Sequence, residues 1–122
     1  MIGIDVISIS RIEELHNKFG ERGLGRYLSK KEITLSALKP QTLAGFWAAK
    51  EAISKALKTG IGKELNFSDI KLKKDRNNAP YFKLSKEANK RFKIKESSLS
   101  ITHDNGFAIA VAYIKFKKEK NV

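Results

Sequence analysis

The central stretch of this chain, residues 46–57, has the sequence FWAAKEAISKAL. On a helix, this sequence sets Glu51 and Lys55 four residues apart and therefore on one face. Alanines surround the pair at positions 44, 48 and 52, whereas the large apolar residues fall on another arc, which holds Leu43, Phe46, Trp47, Ile53 and Leu57. Small side chains beside a charged pair leave room for a bulky charged group near the helix backbone. This helix is therefore the first place to look for chemistry.

Three elements are predicted before this helix. The alternation of apolar residues over 2–7 predicts a strand. Ser10 and Glu13 match a capping box, which predicts a helix that ends at Gly20. Glycines at 20, 23 and 25 then indicate a loop. A second capping box, Ser29 to Glu32, predicts a short helix that ends before Pro40.

The central helix is predicted over residues 41–58, with Gly60 as its stop. The elements expected after it are a hairpin of strands 67–73 and 80–84, a short helix capped by Ser85 that ends near residue 92, and strands 99–103 and 107–116 joined by an Asn105-Gly106 turn of type I′. This order predicts an α+β fold with a largely antiparallel sheet. With no repeat or linker visible, residues 1–122 are expected to form one domain.

Composition narrows the class of protein. The chain has no cysteine and two histidines far apart in sequence, which excludes a disulfide framework and makes a structural zinc site improbable. No apolar run reaches the roughly 20 residues that span a bilayer, and the N-terminal residues lack signal-peptide features. We therefore expect a cytoplasmic protein without a membrane partner. Twenty-five Lys and Arg against 13 Asp and Glu give a net charge of +12, which either attracts a polyanion or serves solubility alone.

Asp5, in the predicted first strand, and Glu51 are the candidate metal ligands. Two carboxylates on rigid elements suit Mg²⁺, which typically takes one or two protein carboxylates together with substrate phosphates. A lysine such as Lys55 can hold the same phosphates as a point charge. The alternatives are a solvated acid at position 5 and an ordinary helix ion pair between Glu51 and Lys55. The sequence does not show whether the two carboxylates meet.

Two other residues have open interpretations. Lys50 points into the apolar arc of the central helix, where it either snorkels to water or holds an ammonium at the edge of a pocket for phosphate. His103 shares a strand face with Leu99 and Ile101 and is either a cross-strand histidine or a site residue. The run Gly60-Ile61-Gly62-Lys63 does not meet the spacing of a P-loop.

Taken together, these motifs resemble one family. The matching segments are Gly3-Ile4-Asp5, Arg11-Ile12, residues 46–61 with FWAAKEAISKALKTGI, and Ser100-Ile101-Thr102-His103-Asp104. In this order and spacing they resemble the holo-acyl-carrier-protein synthases, which are small trimeric 4′-phosphopantetheinyl transferases. The chain departs from the family at Phe46, where many members have arginine.

The resemblance implies a reaction and an assembly. A serine of apo acyl carrier protein would attack the phosphorus of coenzyme A that bears pantetheine, and 3′,5′-ADP would leave, with Mg²⁺ as cofactor. This reaction supports fatty acid biosynthesis. The implied fold is α+β, and the implied assembly is a homotrimer with its sites between subunits.

The resemblance also assigns residues. Asp5 and Glu51 would bind the metal, and these two residues with Lys55 would be catalytic. Coenzyme contacts are expected from Lys50, Lys55, Gly60, Pro80, Ser100, Thr102 and His103. Arg11 would meet the carrier, and Lys18, Arg22 and Arg26 would extend a basic surface toward this acidic partner.

Two rival functions belong to other classes. The net charge allows a nucleic-acid-binding module, but no helix-turn-helix, RRM or zinc-finger pattern is present. We therefore expect no nucleic-acid partner. A purely structural oligomer, with Glu51 and Lys55 as a surface ion pair, is the weaker alternative.

Overall fold

The structure is a computed structural model that describes residues 1–118. Its elements, in chain order, are β1 (Ile2–Ser8), α1 (Ile9–Phe19), α2 (Glu21–Leu24), α3 (Lys30–Ser36), α4 (Pro40–Ala56), a 3₁₀ turn (Phe67–Asp69), β2 (Ile70–Lys74), β3 (Pro80–Leu84), α5 (Lys86–Phe92), β4 (Ile94–Asp104) and β5 (Phe107–Phe116). The α+β fold with antiparallel strands is confirmed.

The main sheet has the strand order β1-β5-β4, and both of its strand pairs are antiparallel. Strands β2 and β3 form a separate antiparallel hairpin. The turn between β4 and β5 has positive φ at Asn105 and Gly106, as a type I′ turn requires, so the turn prediction is confirmed. Helix α4 packs across β1 and β5, and this contact organises the core.

Fully buried alanines occur both on α4 and on the strand β5 against which it packs. On the helix they are Ala48, Ala52 and Ala56, and on β5 they are Ala108, Ala110 and Ala112, all fully buried. A methyl group keeps two backbones close together, and Gly3 brings β1 closer still. A Cβ at Gly3 would overlap the carbonyl oxygen of Ala52 and lie 2.7 Å from the amide nitrogen of Ala56. Helix α4 therefore lies almost directly on the backbone of β1.

The opposite face of the sheet is apolar and exposed. Ile2, Ile4 and Val6 are 68%, 57% and 58% exposed. In the β1–β5 register, Ile2 lies opposite Tyr113 and Ile4 lies opposite Val111, and both of these β5 residues are also exposed. The alternation that predicted β1 thus marks its outer face, because its inner face contains Gly3, Asp5 and the buried Ile7.

Two of the predicted helix starts are confirmed. The Ser29 capping box is present, with the Ser29 amide donating to Glu32 at 2.8 Å and the Glu32 amide donating to Ser29 Oγ at 3.2 Å. Ser85 accepts from the Ala88 amide and caps α5. Gly20, with φ of 63°, ends α1 as expected.

Four local predictions are wrong. The strand expected over 99–103 begins five residues earlier, at Ile94. Ser10 is not a cap, because α1 begins at Ile9 after Ser8, and the two serine hydroxyls hydrogen-bond each other at 2.7 Å. The glycine-rich segment after Gly20 is not all loop, since α2 folds there around the buried Gly23. The strand expected over 67–73 begins only at Ile70, because a 3₁₀ turn occupies residues 67–69.

Candidate active site

The candidate site lies where β1 meets the C-terminal half of α4. Lys55 Nζ donates to Asp5 Oδ1 at 2.9 Å and to the carbonyl oxygen of Ile4 at 3.0 Å. The Lys55 side chain is half exposed, and that of Asp5 is largely covered. Fifty residues apart in sequence, Asp5 and Lys55 meet because Gly3 lets α4 pack against the strand. The ammonium is therefore fixed at the edge of the site and still reachable from solvent.

Glu51 lies one helical turn before Lys55 and belongs to the same site. Partial burial and then the negative charge of Asp5 raise the pKa of the Glu51 carboxyl above its usual range, and the positive charge of Lys55 partly opposes this. Because Lys55 bonds Asp5 and lies one helical turn from Glu51, the two carboxyl groups belong to one site, which the sequence left open. A carboxylate with a raised pKa is a better proton acceptor than an ordinary glutamate.

These two carboxyl groups fit a hard divalent cation. Their mutual repulsion is the strain that a bound cation relieves, and oxygen ligands are what Mg²⁺ prefers. Lys55 bonds Asp5 through Oδ1, and Oδ2 accepts no hydrogen bond from any residue in the part of the chain that the structure describes. Within residues 1–118 there is no group of three or more His, Cys, Asp or Glu side chains that could hold a metal. Remaining ligands would have to come from substrate and water, as is usual for Mg²⁺.

The alanines around this pair have a different role from the one predicted. Ala44, Ala48 and Ala52 are fully buried, so they do not leave room for a bulky charged ligand. They leave room for the sheet instead. The alanines in the sequence correctly predicted that something packs close to the helix backbone. The prediction that a charged ligand does so was wrong, because the sheet does.

Lys50 is held inside the protein. Its ammonium donates to Glu32 Oε1 at 2.9 Å and to the carbonyl oxygen of Phe67 at 3.1 Å, and its side chain is 1% exposed. Glu32 also accepts from the amides of Ser29 and Leu72, so the pair ties α3, α4 and β2 together. Burial lowers the pKa of Lys50, and the hydrogen bond and charge of Glu32 offset part of this shift. Snorkelling to water is therefore wrong. Glu32 and Phe67 take two of the three ammonium hydrogens, so a coenzyme phosphate could accept only the third.

The predicted coenzyme residues of β4 divide between the two faces of the sheet. His103 pairs with the buried Ala108 and lies on the α4 side. Ser100 and Thr102 pair with Val111 and Ile109 on the outer apolar face. All three side chains are exposed. One chain therefore cannot direct them all toward a single ligand on one face.

Two further residues assigned to coenzyme lie on other elements. Gly60, with φ of 65°, follows the end of α4 near Lys55, and its amide donates to the carbonyl oxygen of Ser54. Pro80 is the first residue of β3. The structure thus brings Asp5, Glu51 and Lys55 together, whereas Pro80 lies on the separate hairpin.

The predicted partner surface lies on α1 and α2. Arg11, Lys18, Arg22 and Arg26 are all exposed. Lys18 Nζ lies 5.5 Å and the Arg26 guanidinium 4.6 Å from the ring centroid of Phe19. Phe19 lies at helical spacing from the buried Ile12, yet it is 44% exposed. An exposed ring between two cations could not be foreseen, because Arg26 reaches it from beyond α2.

Comparison with known proteins gives the class. The family model of the 4′-phosphopantetheinyl transferase superfamily matches residues 1–112. This chain belongs to that superfamily, and the family predicted from the sequence is confirmed.

Within the superfamily the similarity is to holo-[acyl-carrier-protein] synthases. The chain is 56% identical to the enzyme of that name from Nitratiruptor over 114 residues, 93% of this chain and 97% of the relative. It is 52% identical to the Helicobacter pylori enzyme over 119 residues, 98% of this chain and 100% of the relative.

Solved structures of holo-[acyl-carrier-protein] synthases are similar to this one. The Helicobacter pylori synthase in complex with coenzyme A superposes with a TM-score of 0.91 at 53% identity, covering 94% of this chain and 100% of that one. The Bacillus anthracis synthase in complex with CoA (3′,5′-ADP) gives a TM-score of 0.79 at 36% identity, covering 95% and 96%. The predicted enzyme class, a phosphopantetheinyl transferase, is confirmed.

Proposed function

We propose that this protein transfers the 4′-phosphopantetheine group of coenzyme A to a serine of apo acyl carrier protein, releasing 3′,5′-ADP and supporting fatty acid biosynthesis. The observation that carries the proposal is the group formed by Asp5, Glu51 and Lys55 at the contact of β1 with α4. Relatives that cover nearly the whole chain are named for this activity.

In the proposed reaction the serine oxygen forms a bond to the phosphorus that bears pantetheine, and the bond from that phosphorus to the ADP oxygen breaks. Glu51 accepts the serine proton as the general base. Lys55, anchored by Asp5 and Ile4 and still half exposed, presents its charge to the phosphate oxygens. Positioning and electrostatic stabilisation are the main sources of catalysis in phosphoryl transfer.

Asp5 and Glu51 would hold the metal ion. When bound there, Mg²⁺ would neutralise the phosphate charge that develops during transfer. Lys55 keeps the Asp5 carboxylate oriented, because its bond uses one of the two carboxylate oxygens.

The exposed apolar sheet face supports a homotrimer. It comprises Ile2, Ile4, Val6, Phe107, Val111 and Tyr113, each at least 38% exposed. A contiguous apolar face of this kind marks a protein interface. Three copies meeting on this face would place Ser100 and Thr102 of one chain toward a neighbour, while His103 faces the chain's own α4. Coenzyme contacts supplied by two subunits, including Gly60 and Pro80, would account for the division of these residues.

The carrier would dock on α1 and α2. Arg11, Lys18, Arg22 and Arg26 present positive charge to an acidic protein, and Phe19 supplies an apolar centre between two of them. Aromatic and arginine side chains are the residues that most often dominate interface energy.

We also infer that the chain is a single domain over residues 1–122 and that it acts in the cytoplasm. The family model covers residues 1–112. Over residues 1–118 no helix has both the length and the apolar character needed to cross a membrane.

Intact-mass spectrometry tests the activity. Apo acyl carrier protein is incubated with this protein, coenzyme A and Mg²⁺, with an EDTA control. The expected result is a gain of roughly 340 Da, one phosphopantetheine group, that EDTA abolishes. No gain with several carriers would contradict the proposal. If a short DNA duplex then competed with the carrier for binding to this protein, the nucleic-acid-binding alternative would be favoured.

A further inference from the structure

A cavity of about 530 Å³ lies between the loop that joins α2 to α3 and the strand β2. Its volume falls within the range of roughly 300–1,000 Å³ typical of small-molecule sites. Asp5, Glu51 and Lys55 do not line it. On α4, Lys50 lines the cavity, whereas Ala52, nearly opposite on the helix, faces β1. The cavity and the sheet therefore lie on different sides of α4.

The lining of the cavity is strongly cationic. Its cations besides Lys50 are Arg26, Lys30, Lys31, Lys71 and Lys73. Its one acid, Glu32, is occupied by Lys50 and by two backbone amides. The two ion pairs found in residues 1–118 are Lys50–Glu32 and Lys55–Asp5, so none of these five cations has an acidic partner there. Positive charge at this opening is uncompensated.

The hairpin adds to this charge at a cost in stability. In the β2–β3 register, Lys71 lies directly opposite Lys83. Like charges directly opposite each other on neighbouring strands are destabilising. Placing two lysines there is unfavourable for the hairpin alone, and an anion beside Lys71 would offset the repulsion.

A buried ammonium also belongs to the cavity wall. Lys50 is 1% exposed, and an ammonium has three hydrogens to donate. Two are used by Glu32 and by the carbonyl oxygen of Phe67. The third has no acceptor among residues 1–118, and a buried donor without a partner is costly. A ligand oxygen would satisfy it.

Part of the wall is apolar, with contributions from Tyr27, Leu28 and Phe67. We propose that this cavity binds a small organic anion, in which a carboxylate or phosphate group is carried on an apolar body. The anionic group pairs with the lysines of α3 and β2, and the apolar body contacts the aromatic wall. The site is separate from the group of Asp5, Glu51 and Lys55 and shares only Arg26 with the proposed carrier surface.

Binding is measured by isothermal titration calorimetry and by backbone amide NMR shifts, without coenzyme or carrier. The probes are octanoate and octyl phosphate, with 1-octanol as the uncharged control and inorganic phosphate as the anionic group alone. We expect at least one octyl anion to bind and to shift the amides of Leu28 and Leu72 most. Comparison of octanoate with octyl phosphate identifies the preferred anionic group.

The variant Lys71→Glu/Lys73→Glu should weaken this binding about tenfold or more, because it reverses two charges at the cavity. The control is Lys86→Glu/Lys90→Glu on α5, which makes the same change in net charge away from the cavity. It should stay within about twofold of the parent protein.

Four results would overturn the proposal. They are 1-octanol binding as tightly as the anions, no anion binding up to about 10 mM, shifts centred on Glu51 and Lys55, and equal losses in the two double variants. A fifth would replace it: if no probe binds but the Lys71/Lys73 variant raises KM for the carrier, the surface is a protein-docking surface and not a small-molecule site.

Discussion

Gly3 of β1 lies directly against the main-chain carbonyl of Ala52 on α4, with no room for a Cβ between them. Two residues after Gly3, on the same strand face, is Asp5, and one turn after Ala52 is Ala56, beside Lys55. The contact thus sets the distance across which Lys55 reaches Asp5. The candidate site therefore requires glycine at position 3, because any larger side chain would push α4 away from β1.

Gly3→Ala should therefore destabilise the protein and impair its site. The added methyl meets backbone atoms of α4, so the helix must shift, at a cost of about 1–3 kcal/mol. Urea unfolding measures the loss, and transfer activity should fall as well. Gly62→Ala is the matched control, because nothing lies within 4 Å of its Cβ position. Equal unfolding midpoints for the two variants would contradict this account of the helix–strand contact.

Glu51→Gln should fold normally but lose most of its transfer activity. The amide keeps the size of the side chain while removing both a proton acceptor and a charged metal ligand. Loss of a general base alone reduces rates by roughly 10²–10⁴-fold. A carrier-protein assay with thermal melting as the folding control measures this. Near-parental turnover would remove Glu51 from the mechanism.

The Glu51 carboxyl should titrate above the usual range of glutamate, and its neighbours should move its pKa in opposite directions. Asp5→Asn removes a negative charge, so the Glu51 pKa should fall. Lys55→Met removes a positive charge, so the Glu51 pKa should rise. Carbon-13 NMR of the carboxyl group in metal-free protein with EDTA follows both. An unchanged Glu51 pKa in Asp5→Asn would show that the two carboxyl groups are not coupled.

Arg11→Ala should weaken carrier binding more than coenzyme binding. Arg11 is exposed on α1, and its loss removes charge complementarity with an acidic partner. We expect KM for the carrier to rise several-fold while KM for coenzyme A changes little. Lys86→Ala on α5 is the control for general loss of charge. Equal increases in both KM values would count against a docking role.

The protein should be a trimer whose assembly depends on the outer sheet face. Light scattering should give three times the chain mass. Ile4→Asp places a charge opposite Val111 on that face and should shift the mass toward the monomer. Leu35→Asp on α3 is the matched control, because Leu35 is also exposed, at 39%, on another element. A monomeric parent protein, or equal dissociation of both variants, would contradict a trimer built on this face.

Local signals predicted most of the fold and its family. Helix periodicity located α4, the Ser29 and Ser85 caps located α3 and α5, and the Asn105-Gly106 turn located the β4–β5 hairpin. These features depend on residues within a few positions of each other. The Ser10 error has the same origin, because tertiary packing of β1 against β5, not the local pattern, determines where α1 begins.

Long-range pairings were beyond sequence reasoning. The sequence singled out Lys50 as unusual but did not indicate Glu32, eighteen residues earlier and on another helix. It named Asp5 and Glu51 but not their proximity. The exposure of the apolar face of β1 could not be predicted either, since an alternating apolar pattern is the same whether it faces a core or a partner chain.

The alanine contact between α4 and β5 has a consequence for dynamics. Alanine has no side-chain torsion to lose on burial and none with which to absorb a displacement. Helix α4 therefore has little freedom to roll or slide on the sheet, and Glu51 is carried on a nearly rigid support. Substrate would meet a backbone already in its working arrangement, so that the entropic cost of binding falls mainly on the ligands themselves.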